Sequence, residues 1–302
     1  MELISHTIPW PSRREHQPFV IAPIGDIQWT GKKGSTAVDL LKRHIDRCLE
    51  LDAWFVGTGD YIDCFSPSNR QRMRAAALYD TAEDVIDDKV LELTHELYEL
   101  FLKPTKGRWI GLCHGHHWAQ LREGDTTDMR LCQMLDAKFL GTCAYIRLVF
   151  KFASSGFNSG FNVTLFVHHG CGGGIKMSAP LNKIENILPY WDADIFLLGH
   201  TTKQVAAPIN RITPRWSGPH SPELIHRKIF MVGCGGFSKG YSLGAKQGSI
   251  PMGSYVEQRL LNPAILGAPI VKIRPAIRWE RHGARRVGRQ KSTWSPEITV
   301  EL

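Results

Sequence analysis

Five short apolar runs in this 302-residue chain each empty into a polar cluster, and that recurrence constrains the fold more than any other feature. "FVIAPI" (19–24) delivers Asp26, "AWFVGTG" (53–59) delivers Asp60, and "RWIGLC" (108–113) delivers His116 and His117. "FNVTLFV" (161–167) delivers His168, and "ADIFLLG" (193–199) delivers His200. Short apolar runs bounded by glycine and aspartate read as buried strands followed by loops. Helical spacing fills the intervals at 35–51 (with Ser35 as N-cap), at 70–102 (long enough for two helices, ending before Pro104), at 126–136 and at 179–191. Beyond residue 204 strands dominate, at 228–234, at 269–279 and in the closing "SPEITVEL". Strands alternating with helices predict an α/β fold with covered sheets. Such sheets gather ligands outside the carboxyl ends of their strands.

No stretch of about 18 apolar residues is present, so no membrane-spanning helix is expected. The first residues, "MELISHTIPWPSRREHQPF", lack the basic-then-apolar order of a signal peptide. The seven cysteines, at 48, 64, 113, 132, 143, 171 and 234, form no CxxC pair. An odd, scattered set predicts free thiols in a reducing cytoplasm. The net charge is +8, and "KIRPAIRWERHGARRVGRQK" (272–291) holds eight Lys/Arg against one Glu. A basic tail of this kind either follows the phosphates of a nucleic acid or serves as a solvated terminus. The expected division is an N-terminal extension over 1–18, one domain over 19–268, and a basic C-terminal strand or tail over 269–302 that packs on or extends from it.

The five clusters are "GDIQ" (25–28), "GDYID" (59–63), "GHHW" (115–118), "HHG" (168–170) and "GHTT" (199–202). In this order, each after a strand, they resemble the calcineurin-like metallophosphoesterases, in the type found in bacteriophages and bacteria. That family's pattern is Asp-x-His, Gly-Asp-x-x-Asp, Gly-Asn-His-Asp/Glu, a lone His, and Gly-His-x-His. The resemblance covers about residues 19–202. It implies a four-layer α/β/β/α sandwich that hydrolyses a phosphate mono- or diester, with nucleotides and nucleic acids among the substrate classes. Such chemistry needs phosphoryl charge neutralised and a hydroxide at neutral pH. Two divalent cations about 3.5–4 Å apart supply both, lowering the pKa of a bridging water from about 15.7 towards about 7. By the resemblance, one metal takes Asp26, Gln28 and Asp60, and the other takes Asp60, His116, His168 and His200. His117 is then the general acid, oriented by Asp63, at an imidazole pKa of about 6.5 suited to the task.

Three candidate ligand positions depart from the family pattern. Gln28 stands where it has His, His116 where it has Asn, and Thr202 where it has the second His of the last motif. One position thus offers oxygen donors only, with Thr202 a weak ligand or an outer partner, and the other is rich in imidazole. The expected metals are Mn²⁺ first, with Zn²⁺, Fe or Mg²⁺ as alternatives, and the oxygen-rich position is the weaker. Trp118 replaces an acidic outer partner. Adjacent strand side chains point to opposite faces, so only one of His168 and His169 ligates easily; the family pattern favours His168. Cys113 and His114 lack the second ligand pair of a zinc knot and are assigned to loop packing. The glycines of "GCGGG", Gly172 and Gly173 among them, either bring backbone N–H groups to a phosphate or form a plain loop. Trp29, Lys32, Lys33, Arg70, Arg72 and Arg74 follow ligand-bearing loops and are either substrate contacts or solvated surface. The rival reading is a degenerate member that keeps one metal and acts as a nucleic-acid or partner binding module.

Overall fold

Residue parity along the strands decides which face of a sheet each side chain meets. A computed structural model describes residues 1–10, 17–32, 34–76, 80–152, 160–216, 218, 221–247, 249–280 and 291–302. In chain order its elements are β1 (Glu2–Trp10), β2 (Phe19–Gly25), α1 (Val38–Glu50), β3 (Trp54–Gly59), α2 (Pro67–Ala76) and α3 (Asp80–Leu97). There follow β4 (Trp109–Leu112), α4 (Thr127–Leu135), β5 (Cys143–Phe152), β6 (Gly160–His168), α5 (Ala179–Ile187) and β7 (Ile195–Leu198). The last group is β8 (Gln204–Trp216), β9 (Pro222–Cys234), β10 (Lys246–Gln247), β11 (Ile250–Pro251), α6 (Tyr255–Gln258), β12 (Ile270–Glu280) and β13 (Lys291–Glu301). After α3 the helix widens into a π turn, Tyr98–Leu102, and closes at Lys103–Thr105, where Pro104 ends it.

The chain is mixed α/β with two mixed sheets. One has the order β13-β12-β2-β3-β4 and the other β1-β5-β6-β7-β9-β8; β10 and β11 form a small separate pair. β2, β3 and β4 run parallel, as do β6, β7 and β9. A shared core lies between the sheets. Phe19, Ile21, Val56, Ile110, Val271 and Ile273 enter it from one side, and Ile146, Leu148, Val163, Leu165, Val167, Ile195 and Val232 from the other. The opposite parity faces outwards. Val20, Ala22, Ile24 and Phe55 pack with Leu41 and Ile45 of α1 and Leu131 of α4. Phe166, Phe196, Leu198 and Met231 pack with Ile184 of α5. The central strands β2, β3, β4 and β7 therefore bury both faces, which accounts for their nearly unbroken apolar runs.

Three expectations are corrected. Residues 2–10 are no extension, because β1 pairs in parallel with β5 and buries Ile8 and Trp10 in the shared core. Ser35 does not cap α1: the N-cap position is Ala37, without a side-chain cap, while the Ser35 hydroxyl donates to the Lys32 carbonyl. The strand at 228–234 is the inner half of a long β8–β9 hairpin, whose outer half is too mixed in sequence to announce itself. The 269–302 segment forms a hairpin whose β12 pairs with β2. Residues 281–290 of the basic run lie outside the described residues, as does Lys33. Among the described residues no helix is long and apolar enough to cross a membrane.

Candidate metal centre

The parallel strands β2, β3 and β4 of one sheet, and β6 and β7 of the other, all release their polar residues at the same end of the molecule. Asp26 follows β2, and its N–H donates to Gly59 O at 2.9 Å. Asp60 follows β3, and its carbonyl accepts from the Gln28 N–H at 3.0 Å. The second sheet closes on this pair: the His200 N–H donates to Asp26 Oδ2 at 2.8 Å. Of the eight non-glycine residues with positive φ among the described residues, five belong here: Asp26 (47°), Gln28 (48°), Asp60 (55°), His200 (65°) and Thr202 (52°). Left-handed backbone costs free energy in residues with a Cβ, and its concentration at one place is typical of functional sites.

The "GHH" loop is built around Asp60. Its Oδ1 accepts from the N–H groups of His116 and, at 2.9 Å, His117. A Cβ on Gly115 would collide with the Asp60 backbone, and one on Gly59 would lie 2.6 Å from Gly115 Cα, so both positions need glycine. The loop's other side is tied down as well. His117 O accepts from the Cys64 N–H at 3.2 Å, and Arg70 Nη1 donates to the carbonyls of Phe65 (2.7 Å), His116 (2.6 Å) and Trp118 (2.9 Å). The Arg70 guanidinium lies 4.1 Å from the Trp118 ring centre. Buried Asp128 holds the start of the loop, pairing with His114 Nδ1 at 2.7 Å and accepting from the Gly115 N–H at 3.2 Å.

Two overlapping groups of ligand-type atoms result: His116, His169 and His200, and Asp26, Asp60 and His169, each with its atoms within 4.8 Å of one another. Such His/Asp groupings can hold a metal ion. His169 is common to both. Its Nδ1 donates to the Thr58 carbonyl at 2.7 Å, which turns Nε2 towards Asp60 Oδ2 at 3.2 Å. Here the structure replaces His168. Phe161, Val163, Leu165 and Val167 face the shared core, whereas His168 continues the outward parity of Phe166. His168 Nδ1 accepts from the Gly170 N–H at 2.6 Å.

Beside the groups, His117 Nδ1 pairs with Asp63 Oδ1 at 2.7 Å, and its Nε2 lies 3.8 Å from Asp60 Oδ2. Gln28 enters through its backbone contact to Asp60. Thr202 stands beside Asp26, both lining the flank of Gly236, but its hydroxyl donates to the Thr201 carbonyl at 2.8 Å. Trp29 is not a substrate contact: it is 2% exposed, donates from Nε1 to Glu96 Oε2 at 3.2 Å, and meets the Phe101 ring edge-on. Its backbone bridges to Ile62, which carries the indole into the helical side of the sheet. Gly172 and Gly173 are exposed on the loop after β6. Lys32 and Arg72 are exposed, and the side chain of Arg74 lies outside the described residues. Cys113 is buried in the shared core, away from the ligand groups, and His114 is engaged with Asp128 and stacked on Trp118. Asp128 and the clamp role of Arg70 had no signature in the sequence: Arg70 acts on backbone carbonyls, and Asp128 meets His114 and the Gly115 N–H from a helix beyond the motif.

The electrostatics favour cations. Burial pushes the Asp26 carboxyl up to about 7, opposed by the charge of His169 and reinforced by that of Asp60. Burial also works to raise Asp60, but the hydrogen bond and charge of His169, with His117 and the His116 N–H, hold it well below the usual carboxylate range. Burial would lower His169; the Asp60 hydrogen bond and the charges of Asp26 and Asp60 push it up to about 9 instead. Burial, then His169 and His116, bring His200 down to about 4, and burial first lowers His116 as well. For His117 burial is outweighed by the Asp63 hydrogen bond and the Asp60 charge, so its pKa rises. Asp26 Oδ1 is buried without a hydrogen-bond partner, and His169 Nε2 is buried facing the Asp60 carboxylate. Both are atoms of ligand type in the overlapping groups, so the donor set fits a divalent ion. Compared with protein-family models, curated proteins and solved structures, the chain matches none.

Proposed function

We propose that this protein is a metal-dependent phosphoesterase of the calcineurin-like type, with a four-layer α/β/β/α sandwich and two divalent ions at the centre described above. The observation that carries the reading is the convergence of two ligand groups, sharing His169, beside a His117–Asp63 pair. Asp26 and Asp60 would hold one ion, with Gln28 and Thr202 beside it. Asp60, His116, His169 and His200 would hold the other. Ions bound there supply positive charge to the phosphoryl oxygens and acidify a water molecule, with Mn²⁺ the best match to the mixed donors.

The chain's own residues perform the remaining work. Asp63 accepts the Nδ1 proton of His117, which fixes the ring and leaves Nε2 to carry a proton towards the cluster. The raised pKa of His117 keeps that proton available near neutral pH, for transfer to the leaving oxygen. Asp60 Oδ1 is taken by two N–H groups, which leaves Oδ2 as the oxygen turned towards His169 and the ligand groups. The ends of two sheets, closed on one another through the His200–Asp26 contact, keep these groups in register.

Release of nitrophenol from mono- and bis-nitrophenyl phosphate in Mn²⁺ tests the proposal. Asp60→Asn should abolish turnover. His117→Ala should lower it by about a hundredfold on an alkyl phosphate, and less on a nitrophenyl ester, whose leaving group needs no proton. No turnover with Mn²⁺, Zn²⁺, Fe²⁺ or Mg²⁺ would refute it. The Thr202 hydroxyl, turned to its own chain, supports a weaker oxygen-rich position. Metal analysis should find one tight and one loose ion, and a single ion with no turnover favours the binding-module reading. The basic hairpin is the part we assign to nucleic acid, and the seven free thiols suit a reducing cytoplasm. Because β12 completes a sheet, charge removal at Arg285, Arg286 and Arg289 is the fair test. Unchanged salt-dependent nucleic-acid binding would remove that partner.

A further inference from the structure

Outside the ligand groups, two ammonium groups stand over one loop. Lys203, between β7 and β8, is only 8% exposed, and its Nζ donates to the Gly174 carbonyl. Lys183, on α5, donates to the carbonyls of Cys171 and Gly172. Among the described residues neither lysine forms an ion pair. A partly buried cation without a counter-charge is unfavourable, and two that share a five-residue loop repel each other. Burial, then the Lys183 charge, draw the Lys203 ammonium below its usual range. The loop they hold starts against the metal centre: a Cβ on Gly170 would lie 3.1 Å from both Gly199 O and His200 Cβ. The N–H groups of Gly172, Gly173 and Gly174 have no backbone partner among the described residues, and a Cβ on Gly173 would meet nothing within 4 Å. Between His200 and Lys203, the Thr201 hydroxyl is buried and unpartnered.

We propose that Lys183, Lys203 and the glycine loop 170–174 form an anion subsite beside the metal centre, which takes a second phosphate of the substrate, one that the reaction does not cleave. An anion there answers every observation at once: it compensates the partly buried ammonium, relieves the repulsion between the lysines and accepts from free N–H groups. The substrate class is then a phosphate ester with a neighbouring phosphate, on a polynucleotide end or within a polyphosphate. The subsite's place in catalysis rests on the phosphoesterase reading; its capacity to bind an anion does not.

The first test is a ³¹P NMR titration of the EDTA-treated protein with inorganic pyrophosphate. Lys203→Met and, at the more accessible position, Lys183→Met should each weaken binding about tenfold, with circular dichroism confirming the fold. No binding by the unaltered protein, or unaltered binding by both folded variants, overturns the proposal. The second test compares three nitrophenyl esters in Mn²⁺: thymidine 5′-phosphate, the same with a 3′-phosphate, and thymidine 5′-diphosphate. A preference of about tenfold in kcat/KM for the 3′-phosphorylated ester assigns a polynucleotide end, and one for the diphosphate ester a polyphosphate. In either case Lys203→Met should bring the ratio close to one. Equal rates on all three overturn the substrate assignment. Pyrophosphate binding that depends on Lys203, with no ester turned over, sinks the phosphoesterase reading and leaves the anion site standing.

Discussion

Replacing Asp26 by asparagine should make the metal-free protein more stable at alkaline pH while destroying its metal binding. Asp26 is fully buried, one of its oxygens has no partner, and burial pushes its carboxyl from the ordinary 3.8 up to about 7. At about 1.4 kcal/mol for each tenfold change in proton affinity, holding this carboxylate ionised costs about 4 kcal/mol above pH 7. The folded state binds the proton more tightly than the unfolded chain. The associated stability is therefore fully present below about pH 4 and is lost as pH rises through 7. Asparagine has no such dependence. Its oxygen can still accept the His200 N–H, and its unpartnered amide costs about 1–3 kcal/mol. The variant should thus gain about 1–3 kcal/mol at pH 8 and gain nothing, or lose slightly, at pH 4.5. His169 keeps its partner Asp60 in both proteins but loses the Asp26 charge that also raises it, so its own titration moves to lower pH in the variant. Urea unfolding in EDTA at several pH values measures this difference directly. Added Mn²⁺ should then stabilise the unaltered protein in proportion to the logarithm of its concentration, and the variant hardly at all. A difference between the two that stays flat from pH 5 to 8 would show that burial does not penalise Asp26, and the electrostatic reasoning would fall.

Gly115→Ala should cost about 1–3 kcal/mol and weaken Mn²⁺ binding, because the added methyl collides with the Asp60 backbone, which cannot yield; urea unfolding and calorimetric titration measure the two effects. Arg70→Gln, which loses the grip on three carbonyls, should lower kcat by about tenfold and loosen the metal, whereas Arg70→Lys should recover part of both; identical metal affinity in all three proteins would count against the clamp. Trp29→Phe should cost about 1 kcal/mol for the lost Glu96 hydrogen bond and leave KM unchanged, since the indole is buried. His44, brought down to about 4 by burial and then by Arg47, is taken neutral into the fold while the unfolded chain protonates near 6.5; stability should fall by up to about 3 kcal/mol as pH drops from 6.5 to 4, and His44→Leu should flatten that limb in a denaturant series.

What the sequence disclosed follows from what each residue acts upon. Asp26, Asp60, His116 and His200 were legible because each ends an apolar strand, and the strands themselves show as apolar runs. The choice between His168 and His169 was legible too, but from parity and not from motif order. Asn162 and Thr164 are the polar positions of β6, so odd-numbered residues face the core, and continuing that count past Val167 selects His169. β1 was hidden because "ELISHTIPW" carries its apolar residues at mixed intervals on an edge strand with one partner. Trp29 misled because a residue next to a ligand loop can still send its side chain into the layer behind. Arg70 in its clamp role was out of reach of sequence, since it binds carbonyl groups, which every residue possesses, and Asp128 was too, since it meets His114 and the Gly115 N–H from a separate helix.

Asp60 shows why residues without donor atoms weigh as heavily as the candidate ligands. Its Oδ1 is committed to the N–H groups of His116 and His117, so the position of Oδ2 is set by where that loop lies. The loop in turn is placed by Gly59 against Gly115 on one side, by Asp128 at its start, and by Arg70 and the Cys64 N–H along its carbonyls. Shifting any of these moves the Asp60 carboxylate and the His116 and His117 imidazoles together, because all three hang from the same few peptide units. Such coupling makes single substitutions in the supporting set non-additive: Gly115→Ala and Arg70→Gln combined should cost less in metal affinity than the sum of their separate effects, since each already displaces the same loop. A full sum, measured by calorimetric titration of the double variant, would mean that Asp60 and the loop are held independently, and would remove the loop from its place at the heart of the centre.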